Sequence, residues 1–325
     1  MAFIGVRMGN EPELSPADLQ GLGKLAEDLG YGEIWMTEGA GRDSVTQLTS
    51  VAMATGRIVV GTGILPVFSR TPYITAMSAA GLAEVSGGRF ILGLGVGNGP
   101  AVEHSHGVSF RQPLTHLEEA VTIIQGLLRG EEVTLRGKVF NVERATLGDV
   151  VPKTHVPLYL AALGPRALQM AGALADGVLL SWTASSYLEQ AIRLVREGAV
   201  AAGRDPSAVA ISGYVRVAVT GDRAAGKESL RRQMAHYLGS SFYREFFRST
   251  GFGQEMEGVE SGDRSGEKAI GPRMEEELGI VGDAEECRAA LDELRALGLD
   301  KPVVAPLPLA DLKESYRRTL TALAP

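Results

Sequence analysis

Short apolar runs alternate with longer amphipathic stretches along the chain. The first run, 3–8, is followed by Ser15, Pro16, Ala17 and Asp18, and then by Leu19, Leu22, Leu25, Ala26 and Leu29. Steps of three and four are the period of a helix with one buried face. Ser15 suits the N-cap, Pro16 suits the first helical position, and Gly30 permits the stop. The same alternation predicts further strands over 33–36, 58–61, 89–94, 158–162, 177–181, 209–219 and 302–305. Helices are predicted between and after them, over 43–55, 71–85, 113–128, 165–174, 186–202, 223–238 and 284–297, with a last one starting near 309. Eight strand-like runs, each with a helix, point to one α/β domain over 1–325, a (β/α)8 TIM barrel with insertions. A doubly wound open sheet is the rival, but it wants a glycine fingerprint after the first strand, and none is there.

Two stretches leave the pattern. Over 132–143, two alternating runs flank Arg136, Gly137 and Lys138, which predicts a β-hairpin excursion. Over 239–282 the periodicity fails. Aromatic residues come first (Phe242, Tyr243, Phe246, Phe247, Phe252), then many Gly, Glu and Asp. This reads as an irregular insertion, part helical, whose aromatic part is a candidate lid.

Composition narrows the function. The net charge is -7 over 325 residues, with no basic face of the kind nucleic acid requires. A single cysteine, Cys287, excludes an intrachain disulfide framework. No apolar run approaches the roughly 18 residues of a membrane span, and the first residues lack the pattern of a secretory leader. The expectation is a soluble cytoplasmic protein acting on a small molecule.

In a barrel of this kind the chemistry sits where strands end. After the strand at 89–94 comes Gly93-Leu94-Gly95-Val96-Gly97-Asn98-Gly99-Pro100. It fails the dinucleotide fingerprint from either start. What remains is backbone without side chains at alternate positions, open to a flat ring or filled by barrel packing. After 58–61 come Gly63 and Ile64, where the chain turns sharply. After 158–162, Leu163, Gly164 and Pro165 open a helix whose free amides and Arg166 suit a phosphate, or form a plain turn. Glu38 is a carboxylate at the mouth of the second strand, either a proton donor or a solvated group paired with Arg42. Trp182 follows 177–181 and can wall a cofactor. His104, His106 and Glu103 lack the further ligands that a metal centre needs, so no metal is expected. Asp176 and Cys287 read as structural.

Taken together, the segments 57–64, 86–97 and 157–165, followed by Ala171-Gly172 and Ala175-Asp176-Gly177-Val178, resemble the bacterial-luciferase-like superfamily. Within it, the resemblance is to the deazaflavin (coenzyme F420)-dependent oxidoreductases, a subgroup that includes the methylenetetrahydromethanopterin reductases. It covers roughly 1–220. It implies a homodimer that transfers hydride between coenzyme F420 and a small organic substrate. It also implies a non-prolyl cis peptide at Gly63–Ile64, contacts to the ring or its tail from Gly97 and Asn98, and ribityl-phosphate contacts from Ala161, Ala162, Leu163, Gly164, Pro165 and Trp182. Glu38 stands where the family often has Asp, and is expected to contact the cofactor and to donate the proton. Arg7 stands where some reductases carry a strand-one Glu, so a pterin substrate is not inferred. Two other readings stay open: an FMN-dependent monooxygenase of the same fold, and a non-catalytic flavin-binding protein.

Overall fold

The computed structural model describes residues 3–9, 11–262 and 266–325. Eight parallel strands close into a ring: β1 (Gly5–Met8), β2 (Glu33–Met36), β3 (Val59–Thr62), β4 (Phe90–Gly95), β5 (Leu158–Ala161), β6 (Gly177–Ser181), β7 (Ala210–Val219) and β8 (Lys301–Pro306). Each pairs with the next, and Gly5 of β1 pairs with both Glu33 and Val303, which completes the circle. The helices that follow the strands form the outer layer, so the predicted TIM barrel is the observed one.

Local chemistry explains the helix starts. Ser15 and Asp18 form a reciprocal capping box ahead of the helix Pro16–Asp28, and Thr71 caps Pro72–Val85 through the Ile74 amide. The hairpin is present as the antiparallel strands Val133–Arg136 and Asn141–Ala145.

The insertion is more regular than its sequence suggests. It carries the helices Ser241–Ser249, Gly253–Glu260 and Pro272–Leu278, then a short strand, Gly279–Gly282. That strand pairs with Arg216–Val219 of β7, above the point where β6 stops pairing at Tyr214. Phe246, Phe247, Phe252 and Met256 are buried in the main core and hold these helices down. Glu275, buried, is clamped by Lys227 at 3.1 Å and by Arg231.

The barrel interior is filled rather than open. Trp35, Ile91, Tyr159, Leu179 and Val303 pack inside it. Below them, at the strands' N-terminal ends, Lys301 Nζ donates to Glu33 Oε1 at 2.7 Å and to the Tyr159 hydroxyl at 3.2 Å, while Trp35 Nε1 donates to Glu33 Oε2 at 2.8 Å. The glycines of β3 and β4 make room for Trp35: a Cβ on Gly61 would sit 3.0 Å from its ring. One on Gly93 would sit 1.9 Å from the Thr62 carbonyl oxygen. The lower part of the glycine-rich run is therefore explained by packing. No helix among the described residues is long and apolar enough to cross a membrane.

Candidate active site

The strand mouths converge on a cavity of about 640 Å³. Ile64 enters it after β3, Gly95 to Pro100 after β4, Ala161 to Ala167 after β5, and Leu179 with Ser181 from β6. Ser240 to Tyr243 of the insertion line its remaining side, so part of the predicted aromatic lid does reach the cavity. Phe242 is half exposed there, which leaves an apolar ring available to a ligand.

The backbone at this site is shaped by particular residues. The Gly63–Ile64 peptide is cis. The Gly63 carbonyl accepts a hydrogen bond from the Tyr214 hydroxyl at 2.7 Å, and a Cβ on Gly63 would lie 1.8 Å from that oxygen. Only glycine fits there while Tyr214 holds its place. Gly97 has φ +74, a conformation side chains rarely adopt, and a Cβ on it would lie 3.0 Å from Pro66. Asn98 caps the short turn after it through the Ala101 amide at 3.4 Å. Gly164 precedes Pro165 without any side-chain cap, and a Cβ on it would meet nothing within 4 Å. Packing does not demand glycine at 164.

Beside the cavity, the barrel mouth carries a polar cluster of which only Arg7 was named from the sequence. Arg7 Nε donates to Thr37 Oγ1 at 3.0 Å and its Nη1 pairs with Glu11 at 3.1 Å. Tyr316 lies 3.5 Å from Glu11 and donates toward it. Tyr214 and Arg216 rise from the inner face of β7. Burial pushes the Tyr214 phenol up to about 12, against the opposing pull of Arg7. Burial also draws the Arg216 guanidinium down from its ordinary value, with Arg7 adding to the effect and the surrounding phenols opposing it. The available signal was polarity on alternate positions of a strand that helices cover: Ser212, Tyr214 and Arg216 against Ile211, Val215 and Val217.

Of the residues singled out from sequence, Ile64, Gly97, Asn98 and Ala161 to Pro165 border this one cavity, with Gly63 immediately adjacent. Glu38 and Trp182 do not border it. The Glu38 carboxylate accepts from the Ser44 amide (3.3 Å) and hydroxyl (2.8 Å), from Ser69 Oγ (3.2 Å) and from Arg70. Its partner is thus Arg70, which also pairs with Asp43, while Arg42 donates to the Leu14 and Pro12 carbonyls. Both Glu38 oxygens are occupied as acceptors, an arrangement suited to tying the loops after β2 and β3 together. Trp182 has φ +53, is buried beneath Arg216, and lines a separate cavity of about 270 Å³ with Leu180, Gly213 and Leu278. His104 and His106 are exposed, and no metal-binding group occurs among the described residues. Asp176 accepts from the Leu158 amide at 2.8 Å, and Cys287 is buried, its thiol pushed up to about 11 by that burial.

Comparison with known proteins adds an independent line. Residues 1–301 match the model of a family described as luciferase-like monooxygenase. The chain is 33% identical over 303 residues to 5,10-methylenetetrahydromethanopterin reductase of Methanolobus tindarius, covering 90% of each protein. It is 30% identical over 243 residues to the F420-dependent glucose-6-phosphate dehydrogenase of Microbacterium testaceum, covering 70% of this chain and 71% of that one. The structure of the coenzyme F420-dependent tetrahydromethanopterin reductase from Methanopyrus kandleri superimposes with a TM-score of 0.82 at 26% identity, over 99% of this chain and 98% of that one.

Proposed function

The chain belongs to the luciferase-like monooxygenase family and is an oxidoreductase of it, and from that premise we propose that it transfers hydride between coenzyme F420 and a small organic substrate. The observation that carries this reading is the cavity of about 640 Å³ whose walls include backbone glycine, Ile64 and the turn Ala161–Pro165. Glycine at 97 and 164 leaves wall positions without side chains, which suits a flat ring. Ile64, Gly97 and Asn98 would contact the ring. Ala161 to Pro165, with Arg166, would hold the ribityl-phosphate portion at the start of the helix Pro165–Leu174. Trp182, turned to the other cavity, is left out of this set. The coenzyme, when bound, supplies a hydride-carrying ring carbon. The chain's own contribution is position and dryness: Tyr214 fixes the Gly63 carbonyl, and Leu163, Phe242 and Tyr243 present apolar surface that excludes water. We assign Glu38 to holding Arg70 and the two loops, since a donor role would require protonating a carboxylate already accepting four hydrogen bonds. Relatives named as F420-dependent favour coenzyme F420 over FMN.

The test is a fluorescence titration of the purified protein with coenzyme F420 and with FMN. Coenzyme F420 is expected to bind at least about tenfold more tightly, a difference of about 1.4 kcal/mol. Tight FMN binding without a response to coenzyme F420 would establish the monooxygenase reading instead. Binding of neither would remove both.

A further inference from the structure

Arg216 is a buried cation for which the cofactor reading has no use. It keeps 5% of its accessible surface. Its guanidinium carbon stands 3.8 Å over the Trp182 ring. One nitrogen donates to Ser181 Oγ at 3.0 Å and another to the Tyr214 carbonyl at 3.4 Å. Among the described residues, the ionisable groups that face it are Arg7 and the phenols of Tyr214, Tyr237 and Tyr243. None is a carboxylate. Arg7, by contrast, is paired with Glu11, Arg70 with Glu38, Arg231 with Glu275 and Lys301 with Glu33. A guanidinium withdrawn from water without a counter-charge is strongly unfavourable, so an anion is wanted at this point. A second, independent observation agrees. Trp182 Nε1, on the ring beneath Arg216, is buried with no acceptor. Among the described residues, the locality holds cationic donors and an unpaired N–H but no negatively charged acceptor.

The place is next to the candidate active site. Ser181, which receives the Arg216 hydrogen bond, lines the large cavity, and so does Tyr243. The guanidinium therefore stands just behind that wall, with Ser181 as its contact to the interior. Arg7 contributes a further guanidinium at the same mouth, close enough to Arg216 to disfavour its charge.

We propose that Arg216, together with Ser181, anchors a carboxylate carried by the substrate, so that the enzyme acts on small organic acids in preference to their neutral analogues. The Ser181 hydroxyl, which accepts from Arg216, turns its own proton to the carboxylate; a charged acceptor shortens and strengthens that hydrogen bond, and the guanidinium behind it supplies the opposite charge. The substrate's place in hydride transfer rests on the function proposed above, but the anion site itself does not. A carboxylate or phosphate on the cofactor tail has the same chemistry, and the experiment separates the two sources.

The protein without cofactor is titrated with benzoate and with benzamide, followed by tryptophan emission. Trp182 lies under Arg216, and the only other tryptophan, Trp35, lies inside the barrel. Benzoate is expected to bind at least about tenfold more tightly than benzamide. Arg216→Gln is expected to bring the two to equal affinity while coenzyme F420 affinity stays within about twofold. Should Arg216→Gln fail to fold, Ser181→Ala is the second variant, with the preference expected to fall about threefold or more. Equal affinities in the unsubstituted protein, or a preference that survives Arg216→Gln or Ser181→Ala, would overturn the proposal. So would an Arg216→Gln variant that loses coenzyme affinity and keeps its preference for benzoate, since Arg216 would then serve the cofactor. A protein that binds no coenzyme F420 yet prefers benzoate would defeat the function proposed above and leave this site standing.

Discussion

The two ends of the barrel both bury charge, and they do so in opposite ways. At the floor, Lys301 and Glu33 neutralise each other, and the Tyr159 hydroxyl and the Trp35 indole complete their hydrogen bonds. At the mouth, Arg7 is balanced by Glu11, but among the described residues Arg216 has only a serine, a carbonyl and aromatic rings. The floor is closed on itself and needs nothing more. At the mouth one buried cation, Arg216, faces no carboxylate among the described residues. Burial of charge is common to both ends, so burial alone does not mark a site. The missing counter-charge does.

The comparison breaks most visibly at the floor. Glu33→Ala strands the Lys301 ammonium and the Trp35 N–H, and is expected to cost about 4 kcal/mol, read from the denaturant midpoint. A cost below about 1 kcal/mol would mean that the floor pair is not the structural plug described. The middle effect lies at the mouth. Gly63→Ala sets a Cβ against the Tyr214 hydroxyl, with an expected loss of about 2 kcal/mol. Adding Tyr214→Phe removes the obstructing oxygen and is expected to restore part of that stability; no recovery would show that the obstruction lies elsewhere. The smallest effect is at the rim. Glu38→Gln keeps the shape and gives up the charge facing Arg70, for an expected cost of about 1 kcal/mol with turnover nearly unchanged. A folded Glu38→Gln protein that loses about a hundredfold or more in turnover would reinstate Glu38 as the proton donor.

Much of the architecture was legible from local chemistry. Helix caps at Ser15 and Thr71, the Gly30 stop and the strand-like runs placed the βα units, because each signal acts within a few residues. The glycine-rich mouth was legible too, but its two explanations separate only in three dimensions. Gly61 and Gly93 answer to Trp35 and to the Thr62 carbonyl, whereas Gly97 borders the cavity. Pairings between distant loops were not legible. Glu38 meets Arg70, 32 residues away, rather than nearby Arg42. Trp182 follows a strand that ends at the mouth, yet Arg216 from the neighbouring strand covers it. The insertion read as irregular because its helices are short, nine, eight and seven residues, and are separated by glycine and acidic runs, although Phe242, Tyr243, Phe246 and Phe247 do fall at helical spacing within Ser241–Ser249. Arg216 itself sits in a run of valines, and its significance depends on which carboxylates are absent around it. No local pattern carries that information.

The most direct measurement of the central claim is a crystal structure of the protein with coenzyme F420 bound. The ring is expected against Ile64 and Gly97, the phosphate near Gly164 and Arg166, and Ser181 facing the space left for the substrate. Ring density in the smaller cavity lined by Trp182, or a large cavity that stays empty at saturating coenzyme, would contradict it.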